Sequence, residues 1–257
     1  MLRHHYERRL PSGAPQLLVN LHEDALRTYE VPHEGDPTPA AARCLRGVAL
    51  SGVYDRPIVI DTACQRAVIG VSLTPTGAGA LLGRAHPSAE AVARAHVDLG
   101  DLWGTDGAVL RERLLHHGSP QDQLAALEHA LVERVARHEV DRTEMARMQR
   151  ALDELDGKTT LGAVCRRLGT SERSLRRHVK RWVGIGPKRL ARLRRFGRVL
   201  TAIERRAPDA TVDWARLATD VGCFDQAHLI GEFKSFSGMT PRAYRLGRPS
   251  SRHHVAL

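Results

Sequence analysis

Five cationic side chains recur at helical spacing within one short segment, where they could contact the base edges or the phosphates of a nucleic acid duplex. On the opposite face of the same helix lies an apolar stripe of Leu175, Val179 and Trp182, and Ser171 is suited to cap its N-terminus. A solvated charged face on an ordinary helix hairpin would give the same pattern, and this alternative stays open at this point. The five side chains are Arg173, Arg176, Arg177, Lys180 and Arg181.

A second, shorter helix is expected just before the cationic one. Its apolar residues follow a helical period, and Gly169 can end it in a left-handed conformation. Two short helices around a glycine-containing turn, the second cationic, indicate a helix-turn-helix unit over residues 159–184. The apolar residues of the first helix are Leu161, Val164, Cys165 and Leu168.

The same unit recurs 54 residues further along the chain, over residues 213–238. Asp225 falls on Ser171 and Leu229 on Leu175, and the turn before Asp225 is one residue longer than the first turn. Two copies of one supersecondary unit are hard to ascribe to chance. Further matches place Phe233 on Val179, Phe236 on Trp182, Gly238 on Gly184 and Pro241 on Pro187, with Trp214, Leu217, Ala218 and Val221 in the preceding helix.

Residues 187–206 are expected to form one long helix that joins the two units and sets their spacing. Its apolar stripe is interrupted mainly by arginines. Such a helix would let two recognition helices enter successive major grooves on one face of a duplex, ~34 Å apart. The stripe consists of Leu190, Leu193, Phe196, Val199, Leu200 and Ile203.

From about residue 142 to 245 the chain resembles the AraC/XylS family of transcription regulators. The resemblance rests on GTSERSLRRHVKRWVGIGPKRL, on RLRRFGRVL, and on DWARLATDVGCFDQAHLIGEFKSFSGMTPRAYR. It implies a sequence-specific, activating regulator that binds double-stranded DNA, contacts RNA polymerase and is not an enzyme. It implies no cofactor and no metal.

The family pattern also implies individual roles. Base reading falls on Arg173, Arg176 and Arg177, and we expect phosphate contacts from Lys180 and Arg181, with Ser174 in the same contact set. The second recognition helix has fewer base-reading groups, because only Gln226 can make a bidentate contact, to adenine. Cys223 stands where the family usually has an aromatic residue. The expected contacts of the second helix are Gln226, Ala227, Ile230 and Lys234.

Charge divides the chain into two parts. Residues 150–257 hold 23 Lys and Arg against 10 Asp and Glu, whereas residues 1–149 hold 16 against 19. Such asymmetry indicates one polyanion-binding domain joined to a domain with another task. We therefore expect domains at 1–140 and 141–257, the first for effector sensing or dimerisation. No long apolar run or signal-peptide core is present, which favours a cytoplasmic protein without a membrane partner.

The N-terminal part is expected to be a small β-sheet followed by helices, which makes the chain α+β with an all-α C-terminal domain. Strands are predicted over 16–21, 26–31, 49–54, 57–61 and 67–73, and a loop over 33–42. Helices are predicted over 78–82, 89–96 and 106–116, and a longer one from Pro120 with a stripe of Leu124, Leu127, Leu131 and Val135. The segments LSGVYDRPIVI, VIGVSLTPTGAGALLG and VDLGDLWG resemble a sensor-like domain found ahead of AraC-type modules, which implies a small-molecule effector or a homodimer.

Three other kinds of chemistry compete with DNA reading. Gly77, Gly79 and Gly83 follow an apolar strand and could belong to a nucleotide-binding enzyme, but a tightly packed helix entrance explains them better. The four cysteines lack the context of a methyl acceptor in alkylation repair, a second alternative, and are expected to be free thiols. The adjacent histidine pairs, His4-His5, His116-His117 and His253-His254, point apart in regular structure and predict surface or tail positions rather than a metal site.

Overall fold

The computed structural model describes residues 5–30, 42–83, 92, 96–138, 141–156, 159–207, 210–247 and 251–257. The predicted loop at 33–42 lies outside these residues except for Ala42, which begins a strand. The predicted helix at 89–96 lies outside them except for Val92 and His96. Among the described residues the strands are β1 Tyr6–Arg9, β2 Gln16–Asn20, β3 Leu26–Glu30, β4 Ala42–Leu45, β5 Val48–Ser51, β6 Ile58–Asp61, β7 Val68–Ser72, β8 His96–Asp98 and β9 His254–Ala256.

These strands form two antiparallel sheets rather than one small sheet. One has the order β4-β3-β6-β1-β9 and the other β7-β2-β5-β8. Strand β9 comes from the far end of the chain and pairs with β1, with Glu7 opposite Ala256. The two sheets followed by helices confirm the α+β class.

Five of the strands correspond to predicted ones, and four do not. The unpredicted strands β1, β4, β8 and β9 are three or four residues long. In β1 the inward residues are Glu7 and Arg9, both buried. A strand that turns charges inward lacks the apolar alternation that identifies strands in a sequence. His96 was expected at a helix end but begins β8.

Four helices are present among the described residues of the N-terminal part. Helix α4 begins at Pro120 with Ser119 as its N-cap, as predicted. Its buried face is Leu127 with Ala130, whereas Leu124 is 51% exposed, so the predicted stripe was wrong at that position. The four helices are α1 Pro75–Leu82, α2 Leu99–Trp103, α3 Thr105–Leu115 and α4 Pro120–Ala136.

The C-terminal part is helical, with the two predicted helix-turn-helix units on either side of a long helix. Every residue of the predicted stripe on that long helix is buried, which confirms it. The helices are α5 Arg142–Glu154, α6 Leu161–Leu168, α7 Glu172–Val183, α8 Pro187–Glu204, α9 Trp214–Val221, α10 Gln226–Ser237 and α11 Pro241–Leu246.

Two clusters of buried apolar residues support this arrangement. One lies between the four-stranded sheet and helices α1 to α4, with Leu17, Leu99 and Leu127 among its members. The other unites helices α5 to α11, and it also takes in Leu10 and Val53 from the N-terminal part. The helical cluster therefore extends across the expected boundary near residue 140, where residues 139–140 lie outside the described part of the chain.

Polar contacts join the two parts at the same place. Arg189 on α8 donates from Nε to Oδ2 of Asp55 at 2.8 Å and from Nη2 to the Asp55 carbonyl oxygen at 3.0 Å. Asp55 is 1% exposed. Arg8 on β1 donates to the carbonyl oxygen of Ser237 at the end of α10. These contacts fix the long helix and the second recognition helix against the N-terminal part.

Candidate nucleic-acid interface

The first helix-turn-helix unit has the local geometry that its residues predict. Gly169 ends α6 in the left-handed region with φ of 60°. Ser171 then caps α7, because its side-chain oxygen accepts from the backbone N–H of Ser174 at 3.2 Å. Leu175, Val179 and Val183 form the buried side of α7.

The cationic side chains of α7 lie on its exposed side, as predicted. Arg176 is paired with Glu172 one turn earlier, Nη2 to Oε2 at 3.1 Å, so it must exchange this partner to reach a base. Within the described residues Arg173, Arg177 and Arg181 have no hydrogen-bond or ion-pair partner. Ser174 is only half exposed, and its carbonyl oxygen lies 2.7 Å from Nδ1 of His178. Lys180 is also exposed.

Trp182 was predicted in the buried stripe of α7, and it does pack against the helical cluster. It is half buried and packs against α1, where a Cβ built on Gly79 would lie 2.7 Å from the indole ring. Since no side chain fits there, Gly79 permits α1 to approach the first recognition helix closely. Thr76 on α1 adds a hydrogen bond of 2.9 Å from its Oγ1 to Oε1 of Gln149 on α5.

This contact also explains the glycine-rich turn. Gly79 approaches an indole ring, and Gly83 has φ of 72° at the end of α1. The preceding strand β7 pairs antiparallel with β2, and the pairings among the described strands are all antiparallel. A dinucleotide fold needs parallel βαβ units, so the structure does not support nucleotide binding at this turn.

The second unit repeats the plan of the first with a longer turn. Asp225 caps α10, its Oδ1 accepting from the backbone N–H of His228 at 2.7 Å. Cys223 is buried in the helical cluster, so it fills the position at which an aromatic residue was expected. The aromatic residue of this turn is instead Phe224, which is 91% exposed. Sequence reasoning missed Phe224, although its position directly before the cap was a usable signal.

The outward face of α10 is much less charged than that of α7. Gln226, Ala227 and Lys234 are exposed, and Ile230 is half buried. Gly231 lies on the same face, and a Cβ added there would meet nothing within 4 Å. The predicted contacts of the second recognition helix thus share one accessible face, with one amide and one ammonium group as its polar donors.

Helix α8 positions α10 through a buried carboxylate that the sequence analysis missed. Glu232 on α10 is 7% exposed. Its Oε1 lies 2.8 Å from Nε of Arg192, and its Oε2 lies 2.9 Å from Nη1 of Arg195. The Arg189 guanidinium lies over the Phe236 ring, 4.6 Å from its centroid. Both contacts fix the orientation of α10 on α8.

Further arginines of α8 act inside the protein. Arg194 donates to the carbonyl oxygens of Leu152 and Leu155, and Arg198 donates to those of Asp156 and Val221. Burial lowers the pKa of both arginines. Carbonyl groups at helix ends need such donors, so much of the C-terminal positive charge stabilises the domain instead of facing a partner.

The four cysteines are free thiols, as expected. Burial raises the pKa of the Cys64 and Cys223 thiols, which disfavours the thiolate that a methyl acceptor needs. Cys44 is exposed on β4, and Cys165 is buried in α6. The structure therefore does not support the methyl-acceptor alternative.

A cavity of about 450 Å³ lies beside the five-stranded sheet and is lined from both sheets. Glu7 and Arg9 of β1 face it, together with Gln16 of β2 and His254 of β9. Nδ1 of His254 lies 2.8 Å from Oε2 of Glu7, and Arg9 donates to Oε1 of Gln16. His254 is thus part of the sheet rather than of a tail. His253 lies in the turn before β9, where its carbonyl oxygen accepts from the Leu10 N–H at 2.8 Å, and burial lowers the pKa of His253 to about 4.

Residues 164–247 match a family model described as a helix-turn-helix domain. They include both recognition helices and the helix between them. This part of the chain is an AraC-type helix-turn-helix domain. An AraC-type domain behind a sheet-and-helix part makes the chain a DNA-binding transcription regulator.

Solved structures of ToxT from Vibrio cholerae are similar in fold. One, at 1.65 Å resolution, has a TM-score of 0.50 at 11% sequence identity, and the match covers 96% of this chain and 95% of the ToxT chain. A second has a TM-score of 0.47 at 12% identity, with 96% and 94% covered. A third, with an unsaturated fatty acid bound to ToxT, has a TM-score of 0.47 at 10% identity, with 95% and 91% covered. No curated protein gives a significant sequence match.

The predicted contact residues lie in two sets within this domain, one on α7 and one on α10.

None of the described helices is long and apolar enough to cross a membrane. Among the described residues, no cluster of three or more His, Cys, Asp or Glu side chains could hold a metal ion.

Proposed function

We propose that the regulator reads a bipartite DNA site by placing α7 and α10 in adjacent major grooves on one face of the duplex. The observation that supports this most directly is the attachment of both units to α8, which is buried along one side from Pro187 to Ile203. Recognition helices in successive grooves lie ~34 Å apart. A helix shared by both units keeps their separation constant.

In this proposal the two helices differ in what they read. Arg173, Arg176 and Arg177 contact base edges, because a guanidinium donates two parallel hydrogen bonds to guanine. Phosphate contacts come from Lys180, Arg181 and Ser174 on α7 and from Lys234 on α10. Gln226, Ala227 and Ile230 contact the second groove. The half-site under α7 is therefore guanine-containing and strongly specified, and the half-site under α10 is more degenerate.

Selection of bound duplexes from a random pool by the full chain tests this arrangement. We expect two blocks of preferred base pairs with centres about 10 bp apart. Affinity should fall steeply with salt, and Lys234→Ala should lower the salt slope by about one phosphate contact without changing the base preference. The arrangement is wrong if one block, or none, emerges.

We further propose that residues 1–140 form an effector-sensing or dimerisation domain and residues 141–257 the DNA-binding domain. The cavity bordered by Glu7 and Arg9 has the size of a small-molecule site. A ligand there would contact β1 and β9, and β1 reaches the end of α10 through Arg8. Occupancy would thus bias the second recognition helix.

The test is a thermal-shift screen of the full chain with a chemically diverse set of small polar molecules. A true effector should raise the Tm of the wild type, alter DNA affinity, and lose both effects in Arg9→Ala. If no molecule raises the Tm and sedimentation finds only monomers, the N-terminal proposal is wrong. We also propose that the regulator is an activator that contacts RNA polymerase. It acts in the cytoplasm and catalyses no reaction.

A further inference from the structure

Phe224 is the most exposed large hydrophobic side chain among the described residues, at 91%. It lies between α9 and α10, directly before the capping residue Asp225. Its backbone N–H donates to Nδ1 of His228 at 3.2 Å, and Asp225 accepts from the His228 N–H at 2.7 Å. Two hydrogen bonds to His228 therefore hold this end of the turn on α10, and the ring lies in solvent beside the N-terminus of the recognition helix.

The longer turn of the second unit accounts for this position. Three residues, Gly169 to Ser171, separate α6 from α7, whereas four, Gly222 to Asp225, separate α9 from α10. Cys223 fills the core position in this turn, and Phe224 takes no part in the buried cluster. An exposed aromatic ring adds nothing to the stability of the free fold.

Three outward residues of α10 near Phe224 are also apolar, beside the polar Gln226. Ala227 and Gly231 are exposed and Ile230 is half buried, on the same face of the helix. Together with Phe224 they form what we call the apolar reading face: Phe224, Ala227, Ile230 and Gly231. Lys234 lies one turn further along that face. An ammonium group in this position can contact a phosphate while the apolar side chains face the base edges.

The edges of base pairs in the major groove expose one apolar group, the C5-methyl of thymine. Residues at the N-terminal end of a recognition helix are those that approach base edges. We propose that Phe224 recognises thymine in the half-site under α10 by packing its ring against one or two C5-methyl groups. This inference rests on the proposed placement of α10 in a major groove.

Replacing thymine by deoxyuracil tests the proposal, because the exchange removes the methyl group alone. In a duplex selected by the full chain, each thymine under α10 is replaced in turn and the Kd is measured. At one or two positions we expect about fourfold weaker binding, since one buried carbon contributes roughly 0.8 kcal/mol. In Phe224→Ala, the thymine and deoxyuracil duplexes should bind equally, both more weakly than the wild type binds thymine.

Two controls accompany this comparison of two proteins with two duplexes. Leu246→Ala removes a side chain of α11 that is 74% exposed, and it should preserve the thymine preference. Deoxyuracil under α7 should have the same effect in Phe224→Ala as in the wild type. Because Phe224 is exposed, its alanine variant should unfold at the wild-type denaturant midpoint.

Other outcomes overturn the inference in distinguishable ways. If the wild type ignores the methyl groups, or if Phe224→Ala keeps the full deoxyuracil penalty, Phe224 does not read thymine. If Phe224→Ala binds DNA normally but lowers transcription, the ring contacts an apolar protein surface instead. If no preferred sequence emerges from the random pool, the two-groove proposal itself is wrong. If a sequence emerges but deoxyuracil binds as well as thymine under α10, only the role of Phe224 is wrong.

Discussion

The two helix-turn-helix units have the same capping pattern, buried stripe and terminal glycine, yet different neighbours fix them in place. At equivalent positions 54 residues apart, Trp182 of α7 packs outward on Gly79 of α1, while Phe236 of α10 is fully buried under the Arg189 guanidinium. His178 lies near a carbonyl of its own helix, whereas Glu232 pairs with Arg192 and Arg195 on α8. The first unit is thus attached to the N-terminal part and the second mainly to the long helix.

The outward faces of α7 and α10 differ in charge. Arg173, Arg176 and Arg177 of the first unit correspond to Ala227, Ile230 and Gly231 of the second. The second unit, in which the Glu232 carboxylate pairs with arginines of α8, has the apolar reading face. The first unit, in which Trp182 packs on α1, has the cationic face. The two copies therefore share a backbone plan but differ both in their internal contacts and in the side chains of their outward faces.

The largest difference should appear when the Glu232 anchor is removed. Glu232→Ala should lower the free energy of unfolding by about 3 kcal/mol, because two arginines lose the buried carboxylate they share. Urea unfolding of the full chain measures this loss. Glu204→Ala is the matched control, since Glu204 pairs with Arg252 at a half-exposed site and should cost less than about 1 kcal/mol. Equal losses in the two variants would contradict the anchoring role.

Base reading by α7 should give the next largest effect. Arg177→Ala should cost about 1–3 kcal/mol of binding free energy and relax the preference at one or two base pairs of the first half-site. A base-by-base binding profile measures both changes. Gln226→Ala is the corresponding change in α10 and should alter the second half-site instead. An unchanged profile in Arg177→Ala would remove that residue from the reading set.

Giving the second unit an arginine should reduce the difference between the half-sites. Gly231→Arg places a guanidinium at the position equivalent to Arg177, and the site has open space for it. We expect a newly preferred guanine under α10, with discrimination of about 1 kcal/mol, the lower limit for a bidentate contact. The same binding profile measures it, with Gly231→Ala as control for the change in helix propensity. No new preference would mean that this face of α10 lies away from the bases.

The smallest effect concerns the partner of Arg176. Glu172 corresponds to Gln226 in the second unit, so Glu172→Gln makes the first helix resemble the second at that position. Exposed pairs one turn apart contribute about 0.3–0.5 kcal/mol, and their loss frees Arg176 for DNA. Binding should therefore tighten by about twofold at low salt, measured by titration. Weaker binding would show that Glu172 orders Arg176 for recognition.

Features with local causes could be predicted from the sequence. Ser171 and Asp225 cap their helices because a short oxygen-bearing side chain precedes each apolar stripe, and Gly169 ends α6 where positive φ is needed. The stripe of α8 was predicted in full for the same reason. In each case the signal lies within one or two helical turns.

Features with distant causes could not be predicted. The arginines of α8 look alike in sequence, but Arg192 pairs with Glu232 and Arg194 with backbone carbonyls of the α5 end, and only the folded chain brings these groups together. Trp182 matched the buried stripe by period and packs on the helical cluster, but its contact with Gly79 of α1 had no signal in the sequence. For the same reason, net charge overestimates how many C-terminal arginines are available to DNA.

The pairing of β9 with β1 sets an order of events when the protein is synthesised. Glu7 leaves the ribosome before its partner Ala256, which follows 249 residues later, after the whole helical part. At about 5–20 residues per second this interval is on the order of tens of seconds. During that time one edge of β1 is unpaired, and unpaired edges attract other strands. The charged sequence of β1, with Glu7, Arg8 and Arg9 in succession, would disfavour such pairing until β9 arrives.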